Sequence, residues 1–277
     1  MQARVNPARA GRLWVREGWR LFRLQPAGFI VLLFVYVVGL SFANMVAELL
    51  GHGVAAVIPG LPPDAIGSIG GMFIATLVPG LSVGFMEACR AAEQKKPLRP
   101  QMLLQAFMID KTTSRALLIL GAVYAITLGA ILAVVFNLDI PVITPGKDGT
   151  PPTLPPGAAL DFVLSLGGAM LAYLPVAMVL WYAPVLVAWH RMTAAKAMFF
   201  SLAACWRNRA AFTIYSLVWG LYFLAIPVIA ALLRLANLGS VSVVILMPAA
   251  VILVAGIYCS IYASYTGVLI TDDATES

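Results

Sequence analysis

Long stretches without a charge constrain this chain more than any other feature. A hydrocarbon core about 30 Å thick is crossed by about 20 helical residues. Six stretches reach that length with no charge between their end residues: 27–48, 65–86, 116–138, 162–189, 210–233 and 243–270. The last belongs to a longer uncharged run beyond Arg234, which as one helix would reach about 55 Å. Asn237, Gly239, Ser240 and Ser242 mark a loop near its start. The runs are continuously apolar and do not alternate, so helices are predicted rather than a β-barrel. Only 11% of the residues are charged, against about 25% in a soluble domain, and mean hydropathy is +0.93. A water-soluble surface cannot be assembled from so few charges, which excludes a soluble enzyme. The expected fold is all-α: a polytopic membrane protein of six transmembrane helices, forming a single membrane domain over 1–277. The first stretch is too long for a signal peptide and no convincing small-x-small cleavage site follows it, so it reads as a retained span.

The charges that do occur are one-sided. Lys and Arg number 18 against 12 Asp and Glu, a net charge of +6. The segment before the first span holds Arg4, Arg9, Arg12, Arg16, Arg20 and Arg23, and the second-to-third connection holds Arg90, Lys95, Lys96, Arg99, Lys111 and Arg115. The fourth-to-fifth connection holds Arg191, Lys196, Arg207 and Arg209, which leaves only Lys147 and Arg234 for the other side. The positive-inside rule then puts both termini in the cytoplasm, and the acidic tail (Asp272, Asp273, Glu276) weighs little against it. In a membrane protein such an excess reports orientation rather than nucleic-acid binding. Cys89, Cys205 and Cys259 fall on the same, reducing side, with no CxxC and no metal-ligand spacing, so they read as small buried residues.

Each basic connection carries more than a turn. At 100° per residue Trp14, Val15, Gly18, Trp19, Leu21 and Phe22 share one face over 12–25, with Arg12, Arg16, Arg20 and Arg23 in a stripe beside it; Leu13 and Leu24 break the pattern. Over 193–208, Met198, Phe199, Leu202, Cys205 and Trp206 cluster opposite Lys196 and Arg207. Residues 100–111 are a weaker case, grouping Leu103, Leu104, Phe107 and Met108. These read as amphipathic helices on the cytoplasmic membrane surface, with Arg12, Arg16, Arg20, Arg23, Lys196 and Arg207 as candidates to meet lipid headgroups. Their spacing suggests a unit of surface helix, span, outer loop and span, repeated at about 12–90, 98–191 and 193–271 as three hairpins. The outer loop over 139–161, with six prolines from Pro141 to Pro156, is expected to be extended and mobile, and Pro59-Gly60-Leu61-Pro62-Pro63 is a shorter version.

Three constellations carry potential chemistry. Gly80-Leu81-Ser82-Val83-Gly84 matches G-x-S-x-G, but that motif needs a strand-to-helix turn and here lies inside a span. The same Gly80 and Gly84 form GxxxG, and Ser82 can bond to a backbone carbonyl, so helix packing is the expectation. A pairing of Ser82 with His190 would be needed for catalysis. Asn44, Glu48 and His52 recur every four residues at the outer end of the first span, a weak candidate for a proton or cation site. Glu48 falls about 32 Å along that helix, at the interface, where a carboxylate is cheaply hydrated. Glu87 and Arg90 are expected to pair as i and i+3. Prolines 79, 175, 184, 227 and 248 lie within spans and can kink them.

Several local sequences carry a resemblance: Glu17-Gly18-Trp19-Arg20-Leu21-Phe22; Pro79-Gly80-Leu81-Ser82-Val83-Gly84-Phe85-Met86 with Cys89-Arg90-Ala91; Leu180-Trp181-Tyr182-Ala183-Pro184 with Ala188-Trp189-His190; and Ala204-Cys205-Trp206-Arg207-Asn208. With these the chain resembles a family of uncharacterised betaproteobacterial integral membrane proteins. Its organisation is also distantly similar to membrane domains fused to some glycerophosphodiester phosphodiesterases, whose hydrolase domain has no counterpart here. The resemblance implies a multi-pass protein of the bacterial inner membrane and transfers no catalytic residue. The function expected is non-enzymatic and structural or accessory: membrane organisation, envelope integrity or assembly of partners. No cofactor or metal is expected. Partners would be anionic lipid headgroups and proteins of unspecified identity, not nucleic acid, and a homo-oligomer is admitted. The alternative is a transporter or channel for a small or lipidic solute, built around the proline-bearing spans.

Overall fold

The computed structural model describes residues 2–58, 63–136 and 158–270. The short segment after residue 58, most of the 139–161 loop and the acidic tail lie outside the described residues. The elements run β1 (Gln2–Ala3), α1 (Ala10–Leu24), α2 (Pro26–Val57), α3 (Pro63–Ala75), α4 (Val78–Glu93), α5 (Met102–Gln105) with a 3-10 turn at Ala106–Met108, and α6 (Lys111–Phe136). They continue with α7 (Ala158–Leu180), α8 (Ala183–His190), α9 (Ala194–Arg207), α10 (Arg209–Leu235), α11 (Gly239–Val268) and β2 (Leu269–Ile270). Six helical stretches among the described residues are long and apolar enough to cross a membrane: Pro26–Val57, Ile66–Glu93, Lys111–Ala133, Leu171–His190, Arg209–Leu235 and Val244–Val268.

Proline placement explains which spans are continuous. Pro79 and Pro184 sit in the first turn of α4 and α8, where a missing N–H costs nothing. The chain breaks just before them, at Thr76–Leu77 and Trp181–Tyr182. Pro175, Pro227 and Pro248 stay inside α7, α10 and α11. Both interruptions are covered by protein. The Thr76 carbonyl lies against Gly121 of α6, where a side chain would not fit. The Tyr182 amide donates to Ser201 Oγ at 2.9 Å, and Ser201 donates to Met178 O at 2.7 Å. The turn between α10 and α11 is tighter than expected, closing over Ala236–Leu238 with Asn237 at φ 58°; asparagine tolerates that left-handed geometry.

One end of the bundle gathers the basic connections, and the first and last described residues meet there. Gln2 pairs antiparallel with Ile270 and Ala3 with Leu269. Asn208 fastens this strap: its Oδ1 accepts from the Asn6 amide at 2.8 Å, and its Nδ2 donates to Arg4 O at 2.9 Å. Arg191 of the α8–α9 link meets Asp110 ahead of α6, and Gln25 donates to Lys96 O at 2.8 Å. The buried core lies at this basic end. Phe85 of α4 stacks on Tyr258 of α11 with centroids 4.0 Å apart, and Tyr36 of α2 sets an edge against both.

Each short helix of the basic end packs on a span that precedes its own, and α1 closes the circle by packing on the last. α1 lies on α11 and α10, α5 on α4, and α9 on α7 and α8. Small residues make these seams. A Cβ on Gly18 would fall 2.5 Å from Ser260 Cβ and 2.6 Å from its backbone, and one on Gly84 would fall 2.5 Å from Leu103 Cα. The apolar face of α1 is thus covered by protein rather than turned to lipid. In α9 the buried stripe is Ala194, Ala197, Ser201, Ala204 and Cys205, while the larger Phe199 and Trp206 are exposed. The hydrophobic cluster expected for this helix is therefore split, because close approach to α7 and α8 favours small side chains over bulky ones.

Candidate functional site

The charged surface of α1 gathers five arginines, at Arg9 and within the helix, on one side. Helical spacing puts Arg9, Arg12, Arg16, Arg20 and Arg23 opposite the buried face of Trp14, Val15, Gly18, Leu21 and Phe22. All five arginines are exposed. They line a groove of about 1190 Å³, walled also by Trp19 of α1 and by Val218 and Tyr222 of α10. Trp19 is held by Trp219 at 5.9 Å and by Tyr222 at 6.1 Å between ring centroids. Arg20 is compensated: Glu17 pairs with it, Glu93 stands 3.6 Å away, and the Glu17 hydrogen bond raises its pKa. Among the described residues no carboxylate lies within ion-pair distance of Arg9, Arg12, Arg16 or Arg23.

Inward from this stripe, α4, α8 and α11 share an aromatic and polar layer. Trp189 Nε1 donates to Glu87, and the Arg90 guanidinium lies over the Trp189 ring at 5.5 Å. The expected Glu87–Arg90 pair is thereby replaced by a common partner. Tyr262 donates to Glu93 Oε2 at 2.7 Å. His190 Nε2 and the Tyr265 hydroxyl are 2.6 Å apart, and Tyr182 donates to Ser264 at 3.0 Å. Deeper still, Ser260 receives Trp219 Nε1 at 3.1 Å, lies 2.7 Å from the Tyr215 hydroxyl, and donates to Ile257 O. These groups join four helices; the sequence signal for them was faint, since lone serines and tyrosines in apolar helices have no spacing that announces a partner.

The other candidates are placed as follows. Ser82 donates to Pro79 O at 2.7 Å, within its own helix, while His190 is engaged by Tyr265. Gly80 lies against the Phe107 ring and Gly84 against the Leu103 backbone. Asn44 donates to Leu40 O at 2.9 Å, and Gly71 and Gly67 of α3 lie opposite Asn44 and Glu48. Glu48 and His52 are exposed on α2. Lys196 and Arg207 are exposed on α9, and Arg209 lies 5.7 Å over the Trp206 ring. Cys89, Cys205 and Cys259 are buried, and burial pushes the Cys205 thiol up to about 12. Nothing in the sequence around Asp110 marks it as a site residue. It caps α6, accepting from the Thr113 amide at 2.7 Å and the Thr113 hydroxyl at 2.9 Å. The Thr113 amide, its hydroxyl and the Arg191 charge hold its carboxyl below the usual range.

Six helices long and apolar enough to cross a membrane define a polytopic α-helical membrane protein. The chain is 32% identical over 283 residues to a probable inner membrane protein of Burkholderia thailandensis, an alignment covering 96% of this chain and 93% of that relative. It belongs to that family of multi-pass inner-membrane proteins. No family model and no solved structure matches it.

Proposed function

We propose that this is a non-enzymatic accessory protein of the inner membrane, which organises lipid and envelope components from a basic cytoplasmic face. The positive-inside rule assigns that face, and with it both termini, to the cytoplasm. α1, α5 and α9 are then helices of the cytoplasmic surface, each opening one of three hairpin repeats, and α1 and α9 present Arg12, Arg16, Arg20, Arg23, Lys196 and Arg207 to anionic headgroups. The observation that carries the reading is where polarity sits. The arginine groove lies at the basic end, whereas the cleft between α3 and α6 is walled by Ile69, Met72, Phe73, Ala122, Ala125 and Ile126. Its one polar wall residue, Thr76, bonds to Phe73 O at 2.6 Å. Such a cleft offers an ion or polar solute nothing to replace its water.

Transport of a small or lipidic solute is the second reading, favoured by the two interrupted spans, since broken helices commonly build transporter sites. Against it, the Tyr182 amide at the second break is taken up by Ser201 rather than left facing a cavity, and the first break opens only on the apolar cleft beside Thr76. A deletion strain decides between them. Loss of the protein should sensitise cells to detergent and osmotic downshift, with rescue by the wild type and not by a chain whose α1 arginines are glutamine. An unaltered envelope together with solute flux in proteoliposomes of the purified protein would overturn the accessory role.

A further inference from the structure

The α1 groove has features that go past general attraction to an acidic surface. Its four uncompensated guanidiniums follow one line: Arg12 stands one helical turn from both Arg9 and Arg16, and Arg23 two turns beyond Arg16. From Arg9 to Arg23 the line is about 21 Å long. The floor does not move with the charges, because Gly18 is seated on the Ser260 backbone and Trp14, Leu21 and Phe22 are buried. Guanidinium forks bind phosphate oxygens in pairs. A lipid with one phosphate would neutralise one charge of the line and leave three.

The groove also continues into the bilayer. Val218 and Tyr222 form its wall on α10. On the adjoining face of α10, Leu217, Leu221, Leu224 and Val228 are exposed in one helical stripe leading away from the arginines. Trp19, with Tyr222, lies between charge and apolar track, and an indole favours the interface between headgroups and acyl chains. A soluble polyanion would use the arginines and leave the track empty; a phospholipid uses both. The groove, about 1190 Å³ and open on one side, runs beside both pairs of arginines.

Resting on the lipid-binding reading of the basic face, we infer that the groove between α1 and α10 is a specific site for a phospholipid bearing two phosphates, one held at Arg9 and Arg12 and one at Arg16 and Arg23, with acyl chains laid along α10. Basic pockets between transmembrane helices on the cytoplasmic side bind lipids of this class.

The full-length protein, delipidated in neutral detergent, is offered a two-phosphate phospholipid at half the mole fraction of a one-phosphate anionic phospholipid, so that phosphate is matched. Native mass spectrometry counts what stays bound, and quenching of Trp fluorescence follows binding. One two-phosphate lipid per chain should be retained in preference. Arg12→Gln with Arg16→Gln should weaken it about thirtyfold, taking each arginine as about fivefold near the surface, with thermal unfolding in neutral detergent unchanged. Lys196→Gln with Arg207→Gln, on α9, should leave the preference intact. Equal retention of the two lipids overturns the specific site and spares general acidic-lipid binding. Retention of neither lipid overturns both. Displacement of the bound lipid by an acidic peptide at equal charge would make the groove a protein-docking surface and also overturn the inference.

Discussion

Within α11 two kinds of surface follow one another along a single helix. Toward the basic end Cys259, Ser260, Tyr262, Ala263, Ser264 and Tyr265 are buried, and the hydroxyls bond to α8, α10 or α4. Toward the other end Val244, Ile245 and Met247 are exposed. α10 repeats the contrast, with Ala211, Tyr215 and Trp219 buried and Leu221, Leu224, Leu232 and Leu235 open. In lipid an apolar side chain gains little by leaving the acyl chains for a protein neighbour, so association depends on close packing and hydrogen bonds. The basic half has both. The distal half presents its apolar side chains to lipid, apart from the glycine seam of α3 against α2.

The largest difference between the halves should come from glycine. Gly18 faces the Ser260 backbone, whereas a Cβ on Gly39 of α2 meets nothing within 4 Å. Gly18→Leu should cost about 3 kcal/mol or more, because backbone cannot give way as a side chain can, and should release α1 to proteolysis. Gly39→Leu should stay within about 0.5 kcal/mol. Thermal unfolding in nanodiscs measures both. Equal effects would mean that the basic half is no more tightly built than the distal half.

Hydroxyls give a smaller version of the same test. Ser260→Ala strips a partner from both Trp219 and Tyr215 at a fully buried position, at about 1–2 kcal/mol. Ser242→Ala, in the distal turn of the same helix, removes only a bond to Gly239 O at 2.6 Å and should cost about 0.5 kcal/mol or less. A Ser260→Ala cost no larger than that of Ser242→Ala would show that the buried network contributes nothing specific.

The sequence is legible where a single helix supplies its own signal. Six spans follow from uncharged runs, and the amphipathicity of 12–25 follows from the positions of its arginines. What covers an apolar face is a different question. Trp14, Leu21 and Phe22 would bury equally well in lipid or against α10 and α11, and nothing in their periodicity distinguishes the two. The seam was visible only as Gly18, whose missing side chain permits an approach without naming the partner. In the same way Pro79 and Pro184 were legible as disturbances, but whether a proline kinks a span or interrupts it depends on neighbours such as Gly121 and Ser201 that stand far away in sequence. The arginines are legible from their helical spacing alone; the groove depends on α10 beside them.

The smallest predicted effect lies at the basic surface itself, where Asp110 joins two connections by capping α6 and meeting Arg191. Asp110→Asn can still cap, since asparagine is as good an acceptor there as aspartate, and loses only the ion pair, which is worth little when exposed. Asp110→Ala loses both and should unfold a few degrees lower at neutral pH. The carboxyl is held below its ordinary value of 3.8 by the Thr113 amide first and by the Thr113 hydroxyl and Arg191 after it. A carboxyl lowered by folding contributes stability above its unfolded value and loses it as pH falls through the folded one. The gap between wild type and Asp110→Ala should therefore stay constant from about pH 7 to 5 and close below about pH 4, as read from thermal unfolding in detergent across that range. A gap that persists undiminished in acid would show that the cap does not need the carboxylate charge. A gap already closing near pH 6 would place the titrating group elsewhere.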